Sequence, residues 1–192
     1  MRNLRKLGLA GLAAMGLMTC VGVSAASATT LTVNGVTKNA AVSITALVSG
    51  TKNVLKDEFG TTTSVCEASE LKMTTITFTG TPSGSVSALS YSKCSHTTTV
   101  IAKGSLSFTW TSGINGTVSS SGTEVTYFST FFGASAVCKT GAGTVLGTLT
   151  GNSSGGHATI DMNAKINCGI LGSSSWTGTY TVTSPAGLGV TS

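Results

Sequence analysis

Apolar and polar residues alternate along most of this chain. Ala41-Val42-Ser43-Ile44-Thr45-Ala46-Leu47 sets the pattern, and Thr75-Ile76-Thr77-Phe78-Thr79 and Ser105-Leu106-Ser107-Phe108-Thr109-Trp110 repeat it. It recurs at Thr117-Val118, Glu124-Val125-Thr126-Tyr127, Ala158-Thr159-Ile160-Asp161-Met162 and Thr179-Tyr180-Thr181-Val182-Thr183. A period of two puts apolar side chains on one face of an extended strand and Ser or Thr on the other. Asn34-Gly35, Thr81-Pro82-Ser83-Gly84, Asn115-Gly116 and Ser121-Gly122 punctuate the runs as turns. The pattern predicts roughly ten to twelve short strands in an antiparallel β-sandwich or a closed β-barrel. No helical period follows the first 28 residues.

Those 28 residues read as a secretory signal peptide. Arg2, Arg5 and Lys6 form a positive start, an apolar stretch runs from Leu7 to Val23, and Val23-Ser24-Ala25-Ala26-Ser27-Ala28 suits a signal peptidase. Cleavage after Ala28 fits best, with Ala25 second. A membrane anchor is disfavoured by the stretch's shortness and by Gly8, Gly11 and Gly16 within it. Lipidation at Cys20 is disfavoured by Thr19, where a small Gly, Ala or Ser is usual. Residues 29–192 are then a single all-β domain, with no further segment long and apolar enough for a transmembrane helix.

Composition sharpens this reading. The 192 residues include 25 Gly, 34 Thr and 27 Ser, but only 17 charged residues. With 40% hydrophobic residues the chain is not disordered, and it lacks the Ala, Glu, Lys and Leu of helical bundles. Without the signal it keeps 8 Lys, no Arg and 6 acids, a net +2. That is too little for a nucleic-acid footprint.

Removal of the signal also leaves four cysteines: Cys66, Cys94, Cys138 and Cys168. Their even number suits disulfides in an oxidising compartment, and four cysteines allow three pairings. Self-comparison favours one. Phe59-Gly60 and Ser64-Val65-Cys66 match Phe132-Gly133 and Ala136-Val137-Cys138, and Thr77-Phe78-Thr79-Gly80 matches Thr148-Leu149-Thr150-Gly151. Gly104 and Gly172 then open Ser-rich strands carrying Trp110 and Trp176. We read two tandem disulfide-bearing units, at about 53–118 and 126–184. They pair Cys66 with Cys94 and Cys138 with Cys168, and place the two Trp at equivalent positions.

Candidate chemistry is sparse. Gly151-Asn152-Ser153-Ser154-Gly155 fits the G-x-S-x-G elbow, but no helix follows it and His157 is too near on a short loop. Its counterpart, Gly80-Thr81-Pro82-Ser83-Gly84, is a turn. His96 and His157 occupy unmatched places, with no metal-ligand spacing around them. Asp57-Glu58 and Glu67 with Glu70 could be an acid/base pair, yet Lys139 stands where the second unit would repeat Glu67. We therefore assign no catalytic residue, cofactor or metal. Binding features are better represented. The hydroxyl ranks Thr75, Thr77, Thr79, Thr81 and Thr177, Thr179, Thr181, Thr183 could line wet strand faces. Trp110 and Trp176 could contact a partner or anchor the core. Asn115-Gly116-Thr117 and Asn152-Ser153-Ser154 are glycosylation sequons.

In composition the chain resembles small exported envelope proteins. It is expected to be a non-enzymatic surface, matrix or adhesive protein of the cell envelope: secreted, periplasmic or surface-held. Its expected partners are envelope components or glycans. The alternative is a secreted barrel carrying a small apolar ligand. An outer-membrane barrel is disfavoured by its short runs and scattered aromatics.

Overall fold

The computed structural model describes residues 28–96, 98–101, 103–129, 133–169 and 172–192. The stretch read as a signal peptide, Cys20 included, lies outside them except for Ala28, and so does Phe132. The described residues form sixteen strands and no α-helix. In chain order the first eight are β1 (Thr29–Val33), β2 (Val36–Thr37), β3 (Ser43–Val48), β4 (Asn53–Lys56), β5 (Thr62–Thr77), β6 (Thr79–Gly80), β7 (Ser83–Cys94) and β8 (Thr98–Ile101). The rest are β9 (Ser105–Ser112), β10 (Asn115–Ser121), β11 (Glu124–Ser129), β12 (Ala134–Lys139), β13 (Thr144–Thr150), β14 (Thr159–Asn167), β15 (Ser173–Ser184) and β16 (Leu188–Thr191).

Eight of them close a barrel. The antiparallel ring runs β3-β5-β7-β9-β10-β13-β14-β15 and returns to β3. Of the two architectures the alternation allowed, the closed one forms, and closure leaves no edge in that ring. The strong coiling this needs comes from register shifts in β5, β10 and β15 and from glycines inside strands. At Gly147 a Cβ would sit 1.9 Å from the Asp161 carbonyl oxygen. Only glycine lets β13 and β14 approach so closely.

A second tier continues the barrel upward. β5, β7, β14 and β15 are long enough to run through both tiers. β4 replaces β3 between β15 and β5. On the other side β11 pairs with β12 and with β8, which lies along β7, while β12 meets β14 at Lys139 and Asn167. Part of the pairing order recurs in two stretches, β3 to β9 and β10 to β15. β3 and β10 open them, hairpins β4-β5 and β11-β12 follow, then β7 and β14, then β9 and β15. The second stretch has β12 and β13 where the first has the long β5, and β11 lies on β8 whereas β4 lies on β15. By pairing order, β10 is the partner of β3 in the second half; sequence self-comparison had put it at the end of the first.

The core follows the alternation. β14 buries Ile160, Met162, Ala164 and Ile166 and turns Asp161, Asn163, Lys165 and Asn167 outward. Leu106, Phe108, Val118, Leu149, Tyr180 and Val182 fill the lower tier. At its base β1 pairs with β16, and Leu31, Leu188 and Val190 plug the opening.

Two local expectations fail for stated reasons. The run Thr75–Thr79 was expected to bury Ile76 and Phe78, but Thr75 is buried and Ile76 is 66% exposed. Thr75 continues the inward phase of Met73, which puts Ile76 on the outer face, and the Thr75 hydroxyl accepts the Val42 N–H at 3.0 Å. Asn115-Gly116 is not the turn; Gly113, with φ 56°, turns the chain and Asn115 already belongs to β10.

Candidate functional site

The cysteines pair as the repeat implied. Cys66 and Cys94 face each other across β5 and β7 with Cα atoms 3.9 Å apart, and Cys138 and Cys168 bridge β12 to the end of β14 at 3.8 Å. Both bridges lie in the upper tier. The tryptophans are not equivalent. Trp110 is half-buried near the base, where its backbone N–H donates to Thr29 Oγ1 at 2.8 Å and its indole N–H to the Gly113 carbonyl at 3.0 Å. Trp176 is buried in the upper tier, on the part of β15 that pairs with β4. Their matching Ser-rich contexts had aligned two different heights of the barrel.

The interior holds a polar knot that the sequence pattern did not reveal. Asn53, at the start of β4, donates to Tyr180 Oη at 2.9 Å and accepts the Trp176 indole N–H at 3.2 Å. Ser69 and Tyr180 share a hydroxyl contact of 2.8 Å. Room for Asn53 exists because Gly178 lacks a side chain: a Cβ there would stand 2.3 Å from Asn53 Oδ1. The Tyr91 ring packs against Trp176 at 5.8 Å between centroids, and its hydroxyl lies by this group without a hydrogen bond of ordinary geometry. Burial holds both phenols above their usual range, Tyr91 well above it. A second knot joins the Ser120, Thr123 and Thr140 hydroxyls where β10 gives way to β11. Among the described residues, two spaces between these groups measure about 30 Å³ and about 20 Å³, room for a water molecule or so, against the several hundred Å³ of a drug-sized ligand site.

The candidate catalytic groups have different immediate partners. Ser153 is exposed in the turn after β13, where Asn152 Oδ1 accepts the N–H groups of Ser154 and Gly156 at 2.9 and 3.1 Å. His157 Nδ1 donates to the Val182 carbonyl at 2.9 Å, and His96 Nδ1 lies 3.2 Å from Ser95 Oγ. Asp57 Oδ1 caps a hairpin turn by accepting the N–H groups of Phe59 and Thr61. Glu67 pairs with Lys52 at 3.0 Å, and that hydrogen bond and charge hold its carboxyl below the usual range. Glu70 pairs with Lys72, and Glu124 with Lys103 and Lys139, whose hydrogen bonds lower its carboxyl likewise. Both sequon asparagines use their amide oxygens: Asn115 Oδ1 accepts the Gly151 N–H at 2.9 Å, and Asn152 Oδ1 serves the turn after β13.

The outside of the barrel is where chemistry is displayed. The rank Thr177, Thr179, Thr181, Thr183 does line the outer face of β15; the rank from Thr75 does not form, since Thr75 points inward. Register extends the surviving rank sideways. Thr109 faces Thr117, Thr117 faces Thr148, Thr148 faces Asp161, and Asp161 faces Thr179, whose hydroxyl donates to it at 2.9 Å. A parallel row joins Ser85, Ser105 and Ser121. No protein family, curated sequence or solved structure matches this chain. The site must therefore be read from its own geometry. A shallow outer groove of about 340 Å³ lies where β4 takes over from β3, lined by Leu47, Val48, Ala68, Glu70, Ser90 and Ser92.

Proposed function

We propose that the chain is an exported, non-enzymatic surface, matrix or adhesive protein of the cell envelope, working through the outer face of its barrel. The observation that carries this reading is the contrast between a filled interior and a hydroxyl-covered exterior. With internal spaces of about 30 and 20 Å³, a carrier role for an apolar ligand has little support. Outward Ser, Thr, Asn and Lys on β9, β10, β14 and β15 are also the reverse of the apolar band that lipid requires. Two disulfides fit an oxidising, non-cytoplasmic compartment, and no helix among the described residues is long and apolar enough to cross a membrane. A signal peptide ending at Ala28 would leave Thr29, the first residue of β1, at the new N-terminus. The shared pairing order supports a tandem duplication, with halves framed by β3 to β9 and β10 to β15.

The test is to treat intact producing cells with a membrane-impermeant amine reagent. The mature chain, beginning near Thr29, should carry label on its surface lysines, and purified protein should bind isolated envelope material. An unlabelled chain retaining Met1 inside the cell overturns the reading.

A further inference from the structure

One outward row differs from the neutral hydroxyl rows around it. Ser175 of β15 faces Lys56 of β4 on one side and Lys165 of β14 on the other. Strands lie about 4.8 Å apart, so the two lysine backbones stand roughly 10 Å apart across one serine. All three side chains point outward, since Leu55, Ala164, Ile166, Ser174 and Trp176 take the alternating inward places. Above the row, Asn167 faces Ser173; below it, Asn163 faces Thr177. Each flanking pair offers hydroxyl or amide donors. Neither Lys56 nor Lys165 forms an ion pair among the described residues, whereas Lys52, Lys72, Lys103 and Lys139 all do. The nearest acids are otherwise engaged or off the row. Asp57, next to Lys56, accepts the N–H groups of Phe59 and Thr61. Asp161 accepts from Thr179, Glu124 is held by two lysines, and Glu58 lies over Gly172 at the upper rim.

We propose that the Lys56–Ser175–Lys165 row binds the anionic groups of an acidic polysaccharide, with the two ammonium groups flanking hydroxyl donors that hold a sulfate, phosphate or carboxylate oxygen. This rests on the reading that the outer face is the working surface. A polysaccharide is favoured over nucleic acid because the mature chain carries only +2 and no Arg. A duplex with a charge every ~1.7 Å is met by a broad basic footprint, and single strands by stacked aromatics.

The experiment measures binding of the mature protein to immobilised dextran sulfate, with uncharged dextran and a single-stranded oligodeoxynucleotide as comparators. Dextran sulfate should be bound, dextran not, and affinity should fall as salt is raised. Lys56→Gln and Lys165→Gln should each weaken binding about fivefold. Lys38→Gln, beyond β2 at the opposite end, removes the same charge and should change affinity less than about twofold. Equal losses in all three variants, no retention on dextran sulfate, or tighter binding to the oligonucleotide would overturn the proposal. Surface labelling of a protein indifferent to dextran sulfate would remove this site and leave the outer-surface reading standing.

Discussion

Asn53 shows how one buried amide can order a β interior. It satisfies Trp176 and Tyr180 from a strand of four residues that apolar contacts alone would hold loosely. Asn53→Ala would strand the indole N–H and take one partner from Tyr180 inside the core. The expected cost is about 2–3 kcal/mol, a large share of a marginal stability, measured by urea denaturation. The phenols set a second test. Because burial raises the folded-state pKa of Tyr91 and Tyr180, their contribution is complete below about pH 10, the unfolded value. It is lost as pH rises beyond that, since only the unfolded chain then ionises them readily. Stability should decline from about pH 10 upward, and tyrosinate absorbance from these two residues should appear only with unfolding. Asn53 was illegible in the sequence: it stands where an apolar residue belongs in β4, and nothing local marks a polar residue as inward.

At the scale of elements, the bridges make the sharpest comparison. Each joins strands of one hairpin-sized loop, with separations of 28 and 30 residues. Chain entropy then gives each about 3.5 kcal/mol. Replacing Cys66 and Cys94 by Ala, or Cys138 and Cys168, should lower the thermal midpoint by similar amounts. A loss confined to one pair would mean that the two halves bear load unequally. The strands themselves were largely legible, because period-two alternation survives in β3, β9, β14 and β15. The bridge pairing was legible too, through cysteines that recur in the same order at similar offsets. What the pattern missed lies at bulges and junctions. Ile76 faces out because the polar Thr75, in phase with Met73, takes the inward place, and Trp110 aligned with Trp176 only because Ser and Thr surround both. The Lys56–Ser175–Lys165 row joins residues more than a hundred positions apart, so only the closed register brings it together.

At the scale of the molecule, the first and last strands share one small sheet. Thr30 pairs with Thr191 and Val33 with Leu188, and Leu31, Leu188 and Val190 are wholly buried there. Ending the chain at Ala186 should therefore uncover the base of the barrel. The truncated protein should be cleaved by a non-specific protease well before the full chain, and resistance equal to the full chain would show that β16 is dispensable. The same pairing imposes a clock on biogenesis. β1 leaves the ribosome far ahead of the β16 it must join, and the ring β3-to-β15 likewise closes only when β15 arrives. Such long-range closure is slow compared with local turn formation. A nascent chain of this kind cannot lock its base or its wall strand by strand; both close only once the distant partners β16 and β15 have emerged.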